Sequence, residues 1–280
     1  MTASTLLVAG LGDLGARVAA ARIAAGGDVV GLRRREHRQP APRLHTERVD
    51  LSTGEGIARV PRRVDAVLFC VAPEVRDEAA YRALYLDGLR RLLDRVEAPR
   101  WLFVSSTAVY AQDAGEWVDE DSATEADAFN GRVLREAERE LLGHAGGYVL
   151  RLSGLYGPGR EALLQRAREG RAGARRWSNR IHIEDAATAA TLLLALPDAA
   201  FPLRDAGTAT RILLGNDDAP ALECDVQAWL REREGLLPAA AGDGPESGRR
   251  VCNARLRALG WTPAFPDFRA GYAMLTRPGV

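Results

Sequence analysis

The sequence predicts an α/β fold, a doubly wound parallel sheet with a smaller C-terminal lobe, and three observations carry that expectation. An apolar strand pattern at Leu6–Val8 runs into Gly10-Leu11-Gly12-Asp13-Leu14-Gly15 and then into an Ala-rich helical stretch from Ala16 to Ala25. Strand-like and helix-like patterns alternate along the rest of the chain, as they do when helices cross between parallel strands on both faces of a sheet. The length, 280 residues, exceeds one ordinary core. The expected division is therefore a first domain over 1–155, completed by about 181–215, and a lobe over 156–280 interleaved with its last elements.

The first strand and helix meet at the glycines. Gly10 permits the tight turn, Gly12 lets the main chain approach a pyrophosphate, and Gly15 lets the helix pack on the strand, with Asp13 and Leu14 in the helix's first turn. The positive end of the helix dipole then points at the phosphates, which makes this a Rossmann-type dinucleotide site. The second strand, Val29-Val30-Gly31-Leu32, ends on Arg33-Arg34-Arg35, where an acidic residue would hold the ribose 2′-hydroxyl of NAD. Guanidiniums suit a 2′-phosphate instead, so the expected cofactor is NADP, held by Arg33 and Arg34; the alternative is a solvated basic turn.

The remaining elements follow in order. A Pro- and Arg-rich loop covers 36–46, and a short strand ends at Val49-Asp50-Leu51. Val64–Val71 is a nearly continuous apolar run of strand length, as a buried central strand requires. Asp50 and Leu51 after one strand, and Val71 and Ala72 at the end of the next, complete the expected cofactor-binding set. Ala79–Val96 has helical periodicity through Leu84, Leu89, Leu92 and Leu93, and Pro99 marks its end. Trp101–Val104 begins a strand. Residues 128–142 form an amphipathic helix with Val133, Leu134, Ala137, Leu141 and Leu142 inward, stopped by Gly143 and Gly146-Gly147. Tyr148–Leu152 reads as a strand, Ala186–Leu196 as a helix, Arg211–Leu214 as the last strand and Pro238–Gly248 as a loop.

Composition excludes several classes. The 38 basic and 38 acidic residues cancel, so nothing global favours nucleic acid or a membrane surface. No basic stretch precedes an apolar run at the N-terminus, and no run approaches membrane-spanning length, so a cytoplasmic chain is expected. Cys70, Cys224 and Cys252 are odd in number and widely spaced, as reduced thiols are. His37, His45, His144 and His182 form no ligand-like pair, and no metal is expected. The expected partner is a small molecule, and the expected assembly a monomer or homodimer.

Six segments together carry a resemblance: GLGDLG at 10–15, VDAVLFCVAP at 64–73, FVSSTAVY at 103–110, LRLSGLYGPGR at 150–160, RIHIEDAA at 180–187 and NARLRALGW at 253–261. With them the chain resembles the extended short-chain dehydrogenase/reductase superfamily, in its NAD(P)-dependent epimerase/dehydratase branch. The resemblance implies a Ser or Thr near the end of the fifth strand to orient the substrate carbonyl, and a Tyr-xxx-Lys pair on the next helix to transfer the proton and hold the nicotinamide ribose. Ser106 matches the hydroxyl position, with Thr107 beside it. The helix, however, reads Asp127-Ala128-Phe129-Asn130-Gly131-Arg132-Val133-Leu134-Arg135-Glu136, with no tyrosine between 111 and 147 and no lysine anywhere in the chain. The likeness is thus to atypical members that lack the usual tyrosine. Arg132 or Arg135 would be left to contact a ribose or phosphate from that helix, with a fork unlike an ammonium. Asp87 stands where many relatives have asparagine, or is an exposed helix carboxylate.

Several groups could replace the tyrosine. Tyr156, in the GLYGPGR turn beyond a strand's carboxyl end, is the candidate proton donor, against a structural or cofactor-flanking role. His182 has a suitable intrinsic pKa but fits a structural histidine better. Tyr110 and Tyr148 read as core or strand-end residues, and Asp119, Glu120 and Asp121 as an acidic loop that could approach a substrate. Residues 151–180 hold eight arginines against Glu161 and Glu169, an excess that suits an anionic partner such as a nucleotide-diphosphate sugar, or else a solvated helix face. The function expected is an NADP-dependent oxidoreductase of a small carbonyl/alcohol substrate, with Ser106 and Thr107 at the reacting oxygen. The alternatives are an epimerase or dehydratase that uses the cofactor transiently, and an NADP-binding sensor or scaffold without turnover.

Overall fold

The computed structural model describes residues 4–35, 41–201, 211–238, 242 and 244–276. Parts of the loops expected over 36–46 and Pro238–Gly248 lie outside the described residues. The chain divides into two compact units, one of Met1–Val109, Thr124–Arg151 and Ala187–Leu213, the other of Tyr110–Ala123, Leu152–Ala186 and Leu214–Val280. Residues 110–123, expected within the first domain, thus cluster with the second unit.

The order begins β1 (Thr5–Ala9), α1 (Asp13–Ala24), β2 (Asp28–Arg33), β3 (Leu44–Arg48), β4 (Ala66–Phe69), α2 (Glu78–Tyr81), α3 (Gly88–Arg95) and β5 (Arg100–Ser106). There follow β6 (Ala114–Val118), α4 (Phe129–Gly143), β7 (Gly147–Leu152), β8 (Gly154–Tyr156), α5 (Ala162–Arg168), β9 (Arg176–Ser178), β10 (Arg180–His182) and α6 (Ile183–Ala195). The last elements are β11 (Ile212–Gly215), β12 (Ala221–Leu222), α7 (Glu223–Arg233), β13 (Ser247–Val251), α8 (Ala254–Ala258) and α9 (Phe268–Ala273).

In the first unit the sheet runs β11-β7-β5-β4-β1-β2-β3, and strands β1 to β5 pair in parallel. Strand β4 is buried at every position, as its unbroken apolar run requires, whereas the edge strand β3 has only half-buried and exposed residues and carries His45, Glu47 and Arg48. The chain leaves β1 for β2 on one side and returns to β4 on the other, which puts the switch point at the end of β1. Register does the rest. Ala9 stands level with Leu32 and with Phe69, and Phe69 with Phe103, so the Gly10 turn, Arg33, Val71 and Ser106 all follow carboxyl ends on one edge of the sheet.

Helix α1 buries Leu14, Gly15, Val18 and Ala19, a stripe at helical spacing. The helix expected over Ala79–Val96 is instead α2 and α3 joined by a π-helical turn, Arg82–Asp87. Leu84, Tyr85 and Leu86 are buried in succession there. Consecutive residues of an α-helix turn away from one another, and the wider π turn brings more of one stretch onto the core side. Helix α4 buries Val133, Leu134, Ala137 and Leu141 as its periodicity predicts, with Glu138 among them, while Leu142, also expected inward, is only half-buried.

The second unit is built from short pieces. A four-stranded sheet runs β12-β9-β13-β6, and β8 pairs in parallel with β10. Tyr156, Leu164, Ala167, Val226, Leu230, Phe268 and Tyr272 form its core. Each large aliphatic or phenylalanine side chain among them that is removed from water contributes roughly 1.5–3 kcal/mol, so helices as short as α5 and α9 are held by packing more than by their own propensity.

Candidate cofactor and catalytic site

The three loop glycines play different parts. Gly10 has φ +97°, and a Cβ there would lie 2.7 Å from the Cys70 carbonyl oxygen; a Cβ on Gly15 would lie 2.3 Å from the Gly10 oxygen. Both are glycine because the fold leaves no room. Gly12 differs: its φ of −85° is open to any residue, and a Cβ there would meet nothing within 4 Å. The fold does not need a glycine at 12, but a ligand that must touch the main chain does. Gly12 is also the exposed cap of α1 and accepts the Ala16 N–H at 2.8 Å, while Leu14 anchors the first turn in the core. Asp13 is tied to Arg17 at 3.0 Å. An open main-chain face at a helix N-terminus fits the pyrophosphate of a dinucleotide. Beneath the turn the Cys70 thiol donates to the Gly10 oxygen at 3.2 Å, and burial pushes its pKa up to about 12, which keeps the proton for that bond.

The neighbouring strand ends are held just as locally. Arg33 is half-buried at the end of β2, and Arg34 beyond it is exposed, with Nη2 3.0 Å from Oε1 of Glu74. Asp50 accepts the Ser52 N–H at 2.9 Å and the Ser52 hydroxyl at 2.6 Å. Burial raises its pKa, but the Ser52 bonds and the Arg34 charge outweigh burial and leave it below the usual range. The buried Leu51 presents its carbonyl to Arg91 Nη1 at 2.8 Å, and the half-buried Val71 accepts the Tyr85 hydroxyl at 3.2 Å, with Ala72 exposed beyond it. Burial raises the Tyr85 pKa, so the phenol stays a donor. Tyr85 and Arg91, which sequence reasoning missed, therefore shape two of the expected cofactor-lining turns. Asp87 is exposed on its helix, 3.9 Å from Arg90.

Ser106 ends β5, half-buried, and its Oγ accepts the Ala108 N–H at 3.1 Å. A hydroxyl whose lone pair is engaged in this way keeps its O–H for an outside acceptor. Thr107, also half-buried, opens the 3₁₀ turn Thr107–Val109. Behind this turn lies a network the sequence did not reveal. Ser105 donates to Glu138 Oε1 at 2.6 Å, and Arg151 grips the same carboxylate through Nε at 3.0 Å and Nη2 at 2.7 Å. Arg151 and Glu138 are 3% and 2% exposed, so each charge depends on the other. Helix α4 approaches the turn so closely that a Cβ on Gly131 would lie 2.3 Å from the Ala108 oxygen. The two arginines expected to face a ribose or phosphate are spent elsewhere: Arg132 donates to the Asp127 carbonyl and Arg135 to that of Thr124.

In the second unit, Tyr156, the candidate proton donor of the sequence, is packed in the core. It is 3% exposed, stacks on Tyr272 at 4.7 Å, meets the His182 ring at 5.3 Å, and aims its hydroxyl at the Asp267 carbonyl, 3.4 Å away. Burial raises its pKa well beyond the usual phenol range. His182 is buried too, 3.9 Å from the Phe265 ring, with Nδ1 3.3 Å from the Glu184 N–H. Tyr110 donates to the Asp119 carbonyl at 2.7 Å. The Asp119 carboxylate holds its own loop through Asp121 N and Ser122 N, Glu120 accepts the Leu214 N–H at 3.0 Å, and Asp121 pairs with Arg255 at 2.6 Å. Tyr148, in the first unit, donates to Asp198 at 3.1 Å.

The arginine excess over 151–180 is largely cancelled in space. Six of the eight pair with carboxylates: Arg151 with Glu138, Arg166 with Glu223, Arg168 with Glu234, Arg171 with Glu169, Arg175 with Glu246 and Arg176 with Asp113. Arg180 is buried, donates to Ser178 Oγ at 2.5 Å, and keeps Nη1 buried without a hydrogen-bond partner.

The model of the NAD dependent epimerase/dehydratase family matches residues 6–205. The chain belongs to that family. It is 33% identical, over 98% of each chain and with a TM-score of 0.81, to a protein of Methylobacillus flagellatus assigned as an NAD-dependent epimerase/dehydratase. The fold also matches the UDP-glucuronic acid 4-epimerase of Bacillus cereus in complex with NAD, at 17% identity over 93% of this chain and 94% of that one, with a TM-score of 0.73. Protein YeeZ of Escherichia coli (strain K12) is 35% identical over 139 residues, 48% of this chain and 50% of YeeZ. The chain thus spans about half the length of the curated relatives it matches. As a member of the epimerase/dehydratase family it has the glycine loop and the strand-end hydroxyl, and its α4 begins Phe129-Asn130-Gly131 with no tyrosine. Among the described residues no helix is long and apolar enough to cross a membrane, and no group of three His, Cys, Asp or Glu side chains could hold a metal.

Proposed function

We propose that the chain is an NADP-dependent oxidoreductase acting on a small carbonyl/alcohol substrate, with Ser106 at the reacting oxygen. The observation that carries this reading is Gly12, a bare main-chain position that the fold itself does not require. When bound, the cofactor supplies or accepts hydride at nicotinamide C4. The chain's own groups do the rest. The Gly12 main chain and the N-terminus of α1 bind the pyrophosphate, Arg33 and Arg34 the 2′-phosphate, and Asp50, Leu51, Val71 and Ala72 line the nucleotide. Ser106, with its Oγ fixed by the Ala108 N–H, donates its hydroxyl proton in a hydrogen bond to the substrate oxygen as charge develops there. Thr107 flanks it. With no tyrosine on α4, that hydrogen bond stabilises the alkoxide, and solvent completes the proton transfer.

The family match favours a second reading, an epimerase or dehydratase in which the hydride returns to the substrate. An anionic substrate, a nucleotide sugar included, is part of both readings and rests on the arginine-rich stretch 151–180. Following NADPH absorbance over a panel of carbonyl compounds and nucleotide sugars separates them, because only the oxidoreductase consumes NADPH. Ser106→Ala should lower turnover by about 10²–10³ with NADPH affinity unchanged. Absence of both turnover and isotope exchange at nicotinamide C4 would leave a sensor or scaffold.

A further inference from the structure

We infer that Glu74 is a built-in competitor for the cofactor's 2′-phosphate and sets the margin by which this chain prefers NADP over NAD. The inference rests on the cofactor reading above and goes one residue further. Two arginines that follow β2 converge on one oxygen: Arg34 Nη2 stands 3.0 Å and Arg35 Nη2 3.5 Å from Glu74 Oε1. Glu74 comes from a different place, the loop after β4, so the contact is not a product of local sequence. The alignment of strand ends carries both segments to the same edge of the sheet, beside Gly10.

The chemistry of that oxygen is the point. An anionic oxygen bridging two guanidiniums is the arrangement that a phosphate oxygen takes between arginines. Glu74 occupies it with a single negative charge on a side chain 58% exposed, and Arg35 is 89% exposed. Water screens such pairs, so the bridge is weak and readily exchanged. A phosphate monoester brings about twice the charge and three acceptor oxygens, and displaces the carboxylate rather than joining it, since two anions on one fork repel. The same carboxylate leaves the NAD ribose unhindered, because without a 2′-phosphate nothing needs to move it. Asp50 adds to the negative charge around Arg34, whose field lowers the Asp50 pKa. Removing the Glu74 charge therefore helps only a ligand that carries a phosphate at the 2′ position.

Two probes that differ by this one group, adenosine 2′,5′-bisphosphate and AMP, test the idea by calorimetry on the full chain. Glu74→Gln preserves shape and lies on the surface, so the fold is kept. It should tighten the bisphosphate by about threefold to tenfold, the range spanned by one or two exposed ion pairs, and leave AMP within about twofold. Adding Arg34→Ala should abolish that gain. If Arg34→Ala weakens the bisphosphate while Glu74→Gln leaves it unchanged, the phosphate site stands and the competitor role is overturned. Weaker AMP binding in Glu74→Gln would also overturn it, by making Glu74 a ribose ligand. Equal binding of both probes to the wild type, unaffected by Arg34→Ala, would remove the 2′-phosphate reading and this inference with it.

Discussion

Replacing Gly12 separates what the loop does for the fold from what it does for a ligand. In Gly12→Val the new Cβ meets nothing within 4 Å, and the φ of −85° is allowed for valine, so no packing is lost. Two small terms oppose each other. Valine is a poorer helix cap than glycine by about 1 kcal/mol, and a less flexible unfolded chain returns roughly 0.4–1 kcal/mol. The net change is within about 1 kcal/mol, a melting shift of no more than roughly 2–4 °C. The binding term is much larger. If the isopropyl group keeps a pyrophosphate from two main-chain N–H donors, each worth about 1.5–3 kcal/mol to a charged acceptor, affinity falls by about 10²–10⁴. Gly15→Ala is the control in the other direction, because its Cβ would lie 2.3 Å from the Gly10 oxygen and should cost about 1–3 kcal/mol of stability. Calorimetric titration with NADPH beside thermal melts reads both terms. A folded Gly12→Val protein that binds NADPH like the wild type would refute the reasoning, since Gly12 would then have neither a structural nor a ligand role.

Two further predictions concern buried charges. Glu138→Ala should destabilise the chain by about 3–5 kcal/mol in denaturant titrations, because it strands the Arg151 guanidinium and removes the Ser105 acceptor; a loss under about 1 kcal/mol would mean that the network is not holding the end of β5. Asp217 is pushed up by burial, from 3.8 to about 8, against the nearby Arg180 charge and with Asp267 and Asp218 adding to the rise. The folded chain therefore keeps a proton that the unfolded chain has released, so this contribution to stability is whole below about pH 4 and lost as pH rises toward 8. The melting temperature of Asp217→Asn should accordingly fall less than that of the wild type between about pH 5 and pH 8, and parallel curves would count against the assignment.

How much could be read from the chain alone depended on how local the signal was. The Gly10–Gly15 loop, α1 and β4 were legible because glycine spacing, helical periodicity and an unbroken apolar run are properties of neighbouring residues. The place of Ser106 at the end of β5 was legible through its motif. The Ser105–Glu138–Arg151 network was not, since its members lie 13 to 46 positions apart and a glutamate inside an amphipathic helix reads as solvent-facing until the strands are in place. The pairing of the arginines over 151–180 was hidden for the same reason, their carboxylate partners lying as far away as Glu234 and Glu246. Tyr156, read as part of a turn beyond a strand, closes the short strand β8, and only Tyr272, Phe268 and Asp267, more than a hundred residues on, show that its ring is packed in a core. The second unit's sheet escaped notice because strands of two to five residues are too short to display a period.

The central claim is that this family member binds NADP(H) through the arginines at the end of β2. Its most direct test is calorimetry of NADPH and NADH against the wild type and an Arg33→Ala/Arg34→Ala double variant. With each charged hydrogen bond worth about 1.5–3 kcal/mol, the account expects NADPH to bind the wild type at least about tenfold more tightly, and the double variant to bind both cofactors alike. Equal affinities in the wild type, or a preference that survives loss of both arginines, would contradict it.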